Sequence, residues 1–194
     1  MQDNDPFSNK TDEELVEQAL VDRDVFIYLI NRYERKLYNY IRRITNVSNE
    51  EAEDLLQEIF IKAYKNLRGF DPKLKFSSWI YRIAHNQVIS NFRKRKARPE
   101  NYSVQLSEEL TRTLAGNMDI EKETDQKLLR ENLLRGLEKL NKKYKEVLVL
   151  RFLEEKSYEE ISDILMKPKG TVATLINKAK KEFLQEINKN NINL

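Results

Sequence analysis

Arg82, Asn86 and Arg93 stand at i, i+4 and i+11, with His85 beside them. Phe76 and Trp79 come just before, Lys73 and Lys75 before those, and the stretch runs on into Arg93-Lys94-Arg95-Lys96. On a helix this spacing gathers the three polar residues on one face. Cations track phosphates, and aromatic rings and amides receive unstacked bases. The mixture suits single-stranded or melting DNA better than a rigid duplex. The bland alternative is a core tryptophan with merely solvated arginines. His85 does not read as a metal ligand or general base, because no second His and no Cys exists to join it.

Two further constellations stand out. Asp54, Glu58 and Ile61, with Gln57 next to them, form an acidic and amide helix face that fits a basic partner surface. It is equally readable as a solvated face with Glu58 and Lys62 as an ordinary i, i+4 pair. Toward the C-terminus a short helix over 158–165, a tight turn at Met166-Lys167-Pro168-Lys169 and a helix over 170–188 spell a helix-turn-helix. Pro168 and Gly170 lie where such a turn needs them. Its second helix would enter a major groove, while Ser157 and Thr171 at the helix N-termini contact phosphates. The alternative is a packed helical pair that touches no DNA. There is no G-x-x-x-x-G-K-[ST], no G-x-S-x-G and no H-E-x-x-H, so no catalytic residues, metal ligands or cofactor are expected.

The elements that must position these residues are helices. In 194 residues there are four glycines and four prolines, well under the usual shares of about 7% and 5%. That is too few for the turns of a sandwich or barrel. With no Cys, disulfides and iron–sulfur clusters are excluded. Charged residues make up 35%, and no stretch approaches the ~20 apolar residues of a membrane span. The polar, acidic start does not read as a signal peptide. A cytoplasmic protein without membrane insertion is expected.

The net charge of +3 is unevenly spread. Asp3 to Asp24 holds eight acids against two bases, Arg82 to Arg98 six bases and no acid, and Glu100 to Asp125 is acidic again. Six lysines follow between Lys167 and Lys189. Two basic clusters around an acidic stretch suggest two anion-facing surfaces joined by a linker.

Thr11 with Glu14, Ser48 with Glu51 and Ser157 with Glu160 read as capping boxes. Helices are predicted over 12–21, 23–45, 49–67, 77–96, 119–140, 142–153, 158–165 and 170–188, with Gly69 as a C′ residue. The apolar stripes are Phe26, Leu29, Ile30, Tyr33, Leu37, Tyr40, Ile41 and Ile44 in the second helix, and Ala52, Leu55, Leu56, Ile59, Phe60 and Ala63 in the third. The fourth buries Ile80, Ile83, Ala84, Val88 and Phe92. The last buries Val172, Leu175 or Ile176, Ala179 and Phe183, leaving Thr174, Asn177, Lys178 and Lys181 outside. The expected fold is all-α. One helical domain covers 1–98, a linker 99–118, and a helix-turn-helix domain 119–194.

Asp54-Leu55-Leu56-Gln57-Glu58-Ile59-Phe60, followed by Trp79-Ile80-Tyr81-Arg82-Ile83-Ala84-His85-Asn86, resembles the σ2 domain of extracytoplasmic-function (ECF) sigma factors of the σ70 type. Glu146 to Arg151, Ser157-Tyr158-Glu159-Glu160-Ile161 and Pro168-Lys169-Gly170-Thr171-Val172 resemble their σ4 domain. The order, the spacing and the linker agree over about residues 20 to 188. The resemblance implies two small helical domains, a four-helix σ2 and a σ4, joined by an extended acidic linker. It implies a bacterial transcription initiation factor, associated with the nucleoid and without catalysis of its own. Asp54, Gln57, Glu58 and Phe60 would dock on the β′ clamp of core RNA polymerase, and the β flap would be a further contact. Phe76, Trp79, Arg82, His85 and Asn86 would melt and capture the −10 element, with Arg93, Lys94, Arg95 and Lys96 on the backbone. Ser157, Lys169, Thr171, Thr174, Leu175, Asn177, Lys178 and Lys181 would face the −35 element or a partner. An anti-sigma factor or a DNA-bound activator would complete the set of partners.

One departure concerns the recognition helix. The family usually reads G-T-V-K/R-S-R-L-x-R-A-R, whereas Gly170 to Lys180 here carries Ala173 and Leu175 at two of the cationic places and lysines at two more. Lysine lacks the forked donor of arginine. Either −35 readout is weak and promoter choice rests on the −10 element or a delivering partner, or a different −35 sequence is read through Thr174, Asn177 and Lys178. A helix-turn-helix regulator acting without polymerase is the competing class, which the acidic third-helix face argues against. A nucleic-acid enzyme is the third, without a constellation to support it.

Overall fold

The computed structural model describes residues 6–97, 133–134 and 136–189. The expected linker at 99–118 and the start of the helix predicted from Asp119 lie outside them. The described residues form helices and turns with no strand, so the chain is all-α. None of these helices is long and apolar enough to cross a membrane.

The elements run α1 (Asp12–Val21), a 3-10 turn (Arg23–Val25), α2 (Phe26–Ile44), α3 (Asn49–Lys65), a 3-10 turn (Leu67–Gly69) and α4 (Phe76–Ala97). Then come α5 (Lys142–Leu148), a π-helical turn (Val149–Leu153), α6 (Tyr158–Leu165) and α7 (Lys169–Lys189). The chain divides into two compact units, residues 1–99 with 149–169 and residues 100–148 with 170–194.

In the first unit α2 packs on α3, α3 on α4, and α1 against α2 and the start of α4. Period-3.6 stripes make this possible, because each helix presents one continuous apolar face. Leu29, Leu37, Tyr40 and Ile41 of α2 are fully buried, with Ala52, Ile59 and Ala63 of α3 and Phe76, Ile80 and Ala84 of α4. Each large side chain withdrawn in this way stabilises the fold by about 1.5–3 kcal/mol. Ile30 and Ile83, expected in the core, are only half-buried, and Phe92 is exposed. Phe92 lies in the basic last turns of α4.

Three consecutive acids at the start of α1 have three different tasks. Glu14 completes a capping box with Thr11. Asp12 takes the Arg32 guanidinium at 2.8 Å and the Tyr33 hydroxyl. Burial first, and then this carboxylate, push the Tyr33 phenol well above its ordinary range. Glu13 reaches across to α4. Arg32 also donates to the carbonyls of Phe7 (2.7 Å) and Lys10 (2.9 Å), tying down the segment before α1.

Several boundaries differ from the sequence reading for local reasons. Asp22 caps a 3-10 turn that precedes α2, so the second helix starts at Phe26. α3 ends at Lys65, and Gly69 closes a 3-10 turn without a positive φ. It is therefore not the left-handed C′ residue expected of it. Ser48 caps α3 through the Glu51 backbone N–H, while the Glu51 carboxylate pairs with Arg95 at 3.0 Å. The left-handed residue that ends α6 is Met166 (φ 52°), and Gly170 sits inside α7.

In the second unit Leu137 and Leu140 are buried, as are Tyr144, Val147 and Leu148 of α5 and Val172, Ile176, Ala179 and Ile187 of α7. A Cβ on Gly136 would stand 2.8 Å from the Phe183 ring and 3.3 Å from Ile187, so this glycine allows close approach to α7. Burial draws the Lys145 ammonium below its usual range, with Glu138 opposing.

Candidate nucleic-acid interface

α4 begins in an aromatic nest. The Phe76 ring lies 5.5 Å from Tyr33, 5.8 Å from Phe70 and 5.6 Å from Trp79, and Phe70 and Trp79 are 5.5 Å apart. The three edge-to-face pairs among them, Tyr33–Phe76, Phe70–Phe76 and Phe70–Trp79, add about 0.5–1.5 kcal/mol each beyond burial. Phe76 has no exposed surface. Its expected contact with −10 DNA is thereby corrected: it is the floor on which Trp79 rests. Trp79 is half-buried.

The first backbone N–H of α4, on Phe76, donates to Glu13 Oε1 at 2.8 Å. A carboxylate at a helix N-terminus satisfies an orphan donor and complements the dipole. The sequence signal for this cap was the acidic run 12–14, but the contact spans 63 residues and only the tertiary fold makes it.

Along the outer side of α4, Asn86, Arg93 and Lys94 are exposed and His85 is half-buried. Arg95 is half-buried and engaged by Glu51. Lys96 continues the helix. Arg82 is half-buried, and its Nε donates to the Asp163 carbonyl of α6 at 2.7 Å. Tyr81 turns inward. Its hydroxyl donates to Glu154 at 2.5 Å, its ring meets Tyr40 at 5.2 Å, and the Lys156 ammonium sits over it at 4.5 Å. Burial and then Glu154 hold the Tyr81 phenol far above its ordinary range, and burial lowers the Lys156 ammonium.

The acidic face of α3 is exposed at Asp54, Gln57, Glu58, Ile61 and Lys62. Phe60 is buried within α3's core stripe, which corrects its placing on the polymerase-facing surface. Glu58 is more than a solvated charge. One of its oxygens accepts from the side-chain amide of Gln87, and the Gln87 carbonyl accepts from Lys62. Gln87 is buried, so both of its polar groups are satisfied from the polar face of α3, as a buried amide requires. The sequence reading missed Gln87.

Ser157 and Glu160 form a full capping box at α6. Burial raises the Glu160 pKa, but the bonds to Ser157 and the nearby Lys156 and Lys75 leave it below the usual range. Lys169 pairs with Glu159. Thr171, Thr174, Asn177, Lys178 and Lys181 are exposed on α7, and the Thr174 hydroxyl donates to its own helix's Gly170 carbonyl at 2.9 Å. Ala173 and Leu175 are half-buried.

An all-helical chain with a basic, aromatic-floored helix in one unit, and a capped short helix leading into a polar-faced long one, is built to contact nucleic acid. The Sigma-70 region 2 family matches residues 29–98, and the Sigma-70, region 4 family residues 130–183. The chain is 36% identical over 173 residues to the ECF RNA polymerase sigma factor SigW of Bacillus subtilis, covering 86% of this chain and 90% of that one. It is 32% identical to the ECF RNA polymerase sigma-E factor of Haemophilus influenzae, covering 90% and 97%. The protein belongs to the ECF sigma factors, the non-enzymatic initiation factors that direct RNA polymerase to promoters. Its fold is also that of CnrH, solved in complex with the cytosolic domain of CnrY (TM-score 0.68, 22% identity, 92% of this chain and 97% of that one). RpoE of Bartonella quintana, solved with the anti-sigma factor NepR, shares the fold as well (TM-score 0.65, 17% identity, 84% and 96%).

Proposed function

We propose that α3 carries the polymerase contact through Asp54, Gln57 and Glu58, with the exposed Ile61 at its centre, and that the docked surface is the β′ clamp. α4 meets the −10 element: Trp79, Arg82, His85 and Asn86 receive melted bases, while Arg93, Lys94, Arg95 and Lys96 follow the backbone. Phe60 and Phe76 support these two faces from inside. α7 meets the −35 region through Thr171, Thr174, Asn177, Lys178 and Lys181, with Ser157 and Lys169 at the phosphates and the β flap holding the domain in place. A cytoplasmic, nucleoid-associated protein with an anti-sigma factor as its keeper fits this reading; RpoE of Bartonella quintana, which shares the fold, was solved with such a partner.

The observation that carries the proposal is the Trp79 ring. It belongs to a half-buried residue and is backed by Phe70 and Phe76 at the start of a basic helix. A base stacked on such a platform gains about 1–3 kcal/mol.

The −35 readout is proposed to be weak. Ala173 and Leu175 replace cations, and a bidentate base contact is worth about 1–3 kcal/mol. Promoter choice then rests on the −10 element or on a DNA-bound activator that contacts α7 near Leu175.

The test is transcription in vitro with core polymerase on templates randomised at both elements. Initiation selecting a −10 sequence alone is expected. Selection at both elements would overturn the weak −35 reading, and failure to bind core polymerase would overturn the whole assignment.

A further inference from the structure

α4 starts without a cap of its own. Its N-cap residue is Lys75, whose carbonyl accepts from the backbone N–H groups of Ser78 (3.0 Å) and Trp79 (3.2 Å). A lysine side chain carries donors and no acceptor. It cannot take an orphan N–H of the first turn as Ser, Thr, Asp or Asn would. The N–H at stake is that of Phe76, a residue with no surface open to water, and a buried N–H needs a partner. Glu13 is that partner, at 2.8 Å and from 63 positions away.

The acid before it acts on the same residue. Asp12 takes the Tyr33 hydroxyl, and the Tyr33 ring lies against the Phe76 ring at 5.5 Å. Two consecutive residues of α1 thus hold Phe76, one through its backbone and one through its ring. Phe76 in turn stands 5.6 Å from Trp79. The turn that Glu13 caps is the turn that carries Trp79, whose own N–H closes it on the Lys75 carbonyl. α1 precedes the residues matched to region 2, which begin at 29.

We propose that Glu13 is a positioning residue for strand capture. By holding the first backbone N–H of α4 it sets the orientation of the turn that presents Trp79, so α1 takes part in promoter opening without touching DNA. The inference rests on the assignment of Trp79 to the −10 bases. It makes the place of one carboxylate oxygen, rather than its charge or the stability it adds, the property that matters.

Three variants separate these. Glu13→Gln keeps an oxygen acceptor at the same reach and removes the charge. Glu13→Asp keeps the charge and draws the oxygen back by one methylene. Ser48→Ala removes the side-chain cap of α3, a loss of the same kind on a different helix. Each is combined with core polymerase on a template that the unmodified chain opens. Core affinity is measured, and then the rate of opening at saturating holoenzyme, by permanganate reactivity of unpaired thymines. The near-ultraviolet circular dichroism of the free chain reports the packing of Trp79 without polymerase.

Glu13→Asp should open the template about tenfold more slowly, the effect of losing one base stack on an aromatic ring. Its core affinity should be unchanged and its near-ultraviolet band altered. Glu13→Gln should stay within about twofold of the unmodified rate and keep the band. Ser48→Ala should lower the urea midpoint and leave rate and band alone. Unmodified opening by Glu13→Asp would overturn the proposal. So would a Glu13→Gln chain as slow as Glu13→Asp, which would make charge the active property, or an equally slow Ser48→Ala, which would make it stability. A parallel loss of core affinity would count against it in the same way. An unmodified chain that opens no template would instead strike the assignment of α4, and the role of Glu13 with it.

Discussion

α4 and α7 are both long helices proposed to meet DNA, yet they differ in what would make them fit for it. α4 is held from several sides. Glu13 caps it, Phe70 and Tyr33 wedge its first turn, Glu58 and Lys62 fix Gln87, and Glu51 takes Arg95. Its functional side chains are numerous and strongly basic. α7 buries Val172, Ile176 and Ala179 and presents Thr174, Asn177, Lys178 and Lys181, a face with lysines but no arginine. The contrast says that function in α4 is sensitive to support, while function in α7 is limited by surface chemistry. Loss of support should therefore cost α4 more than any surface change costs α7, and a gain should be available only in α7.

The largest effect tests the first half of that statement. Phe76→Ala should lower stability by about 3–5 kcal/mol, the cost of a large aromatic cavity, seen as a lower urea midpoint by circular dichroism. Promoter opening should fall with it. A fully stable variant that still fails to open DNA would place Phe76 at the bases after all.

Next comes the brace from α1. Asp12→Ala removes the acceptor of Arg32 and Tyr33 and should cost about 1.5–3 kcal/mol, as for hydrogen bonds to a charged group. The same denaturation experiment reads it, and an unchanged midpoint would mean that the segment before α1 does not brace the fold. Burial and Asp12 raise the Tyr33 pKa in the folded state. Its contribution is therefore complete below about pH 10 and is lost as the pH rises toward the folded value. Alkaline unfolding should begin earlier in Asp12→Ala.

The gain is sought in α7. Ala173→Arg should strengthen binding to duplex −35 DNA by about 1–3 kcal/mol if a bidentate contact forms, measured by anisotropy at fixed salt. Leu175→Arg should give less, because Leu175 is half-buried and packs as well as faces out. No gain from either would mean that α7 already reads its own sequence through Thr174, Asn177 and Lys178.

The smallest effect is acid-sensitive. Glu160 titrates below its usual range, so its stabilisation is present above about pH 4.5 and fades as the pH falls through the lower folded value. Glu160→Gln should flatten that part of the stability curve by no more than about 1 kcal/mol, the scale of one cap. A curve unchanged from the wild type would show that the capping box carries no charge-dependent part.

Much of this organisation was legible in the sequence because it is local. The stripes of α2 and α3, the capping boxes at Thr11 and Ser157 and the outward face of α7 follow from helical periodicity and short-range hydrogen bonding. What escaped is tertiary. Phe60 and Phe76 share sequence motifs with surface residues, and a motif does not say which of its aromatics point inward. Gln87 reads as one more polar residue until Glu58 and Lys62 are seen on either side of it. The Glu13 cap and the Tyr81–Glu154 bond each join residues more than 60 positions apart, which no local pattern encodes. At Met166 the chain makes a left-handed turn with a residue other than glycine.

The aromatic nest has a practical consequence. Trp79 is the only tryptophan in the chain, and it sits half-exposed against Phe70 and Phe76 at the start of α4. A nucleobase stacking on it would quench its emission. The moment of strand capture can thus be timed by intrinsic fluorescence in a stopped-flow instrument, on the unlabelled protein and with no background from any second indole of its own.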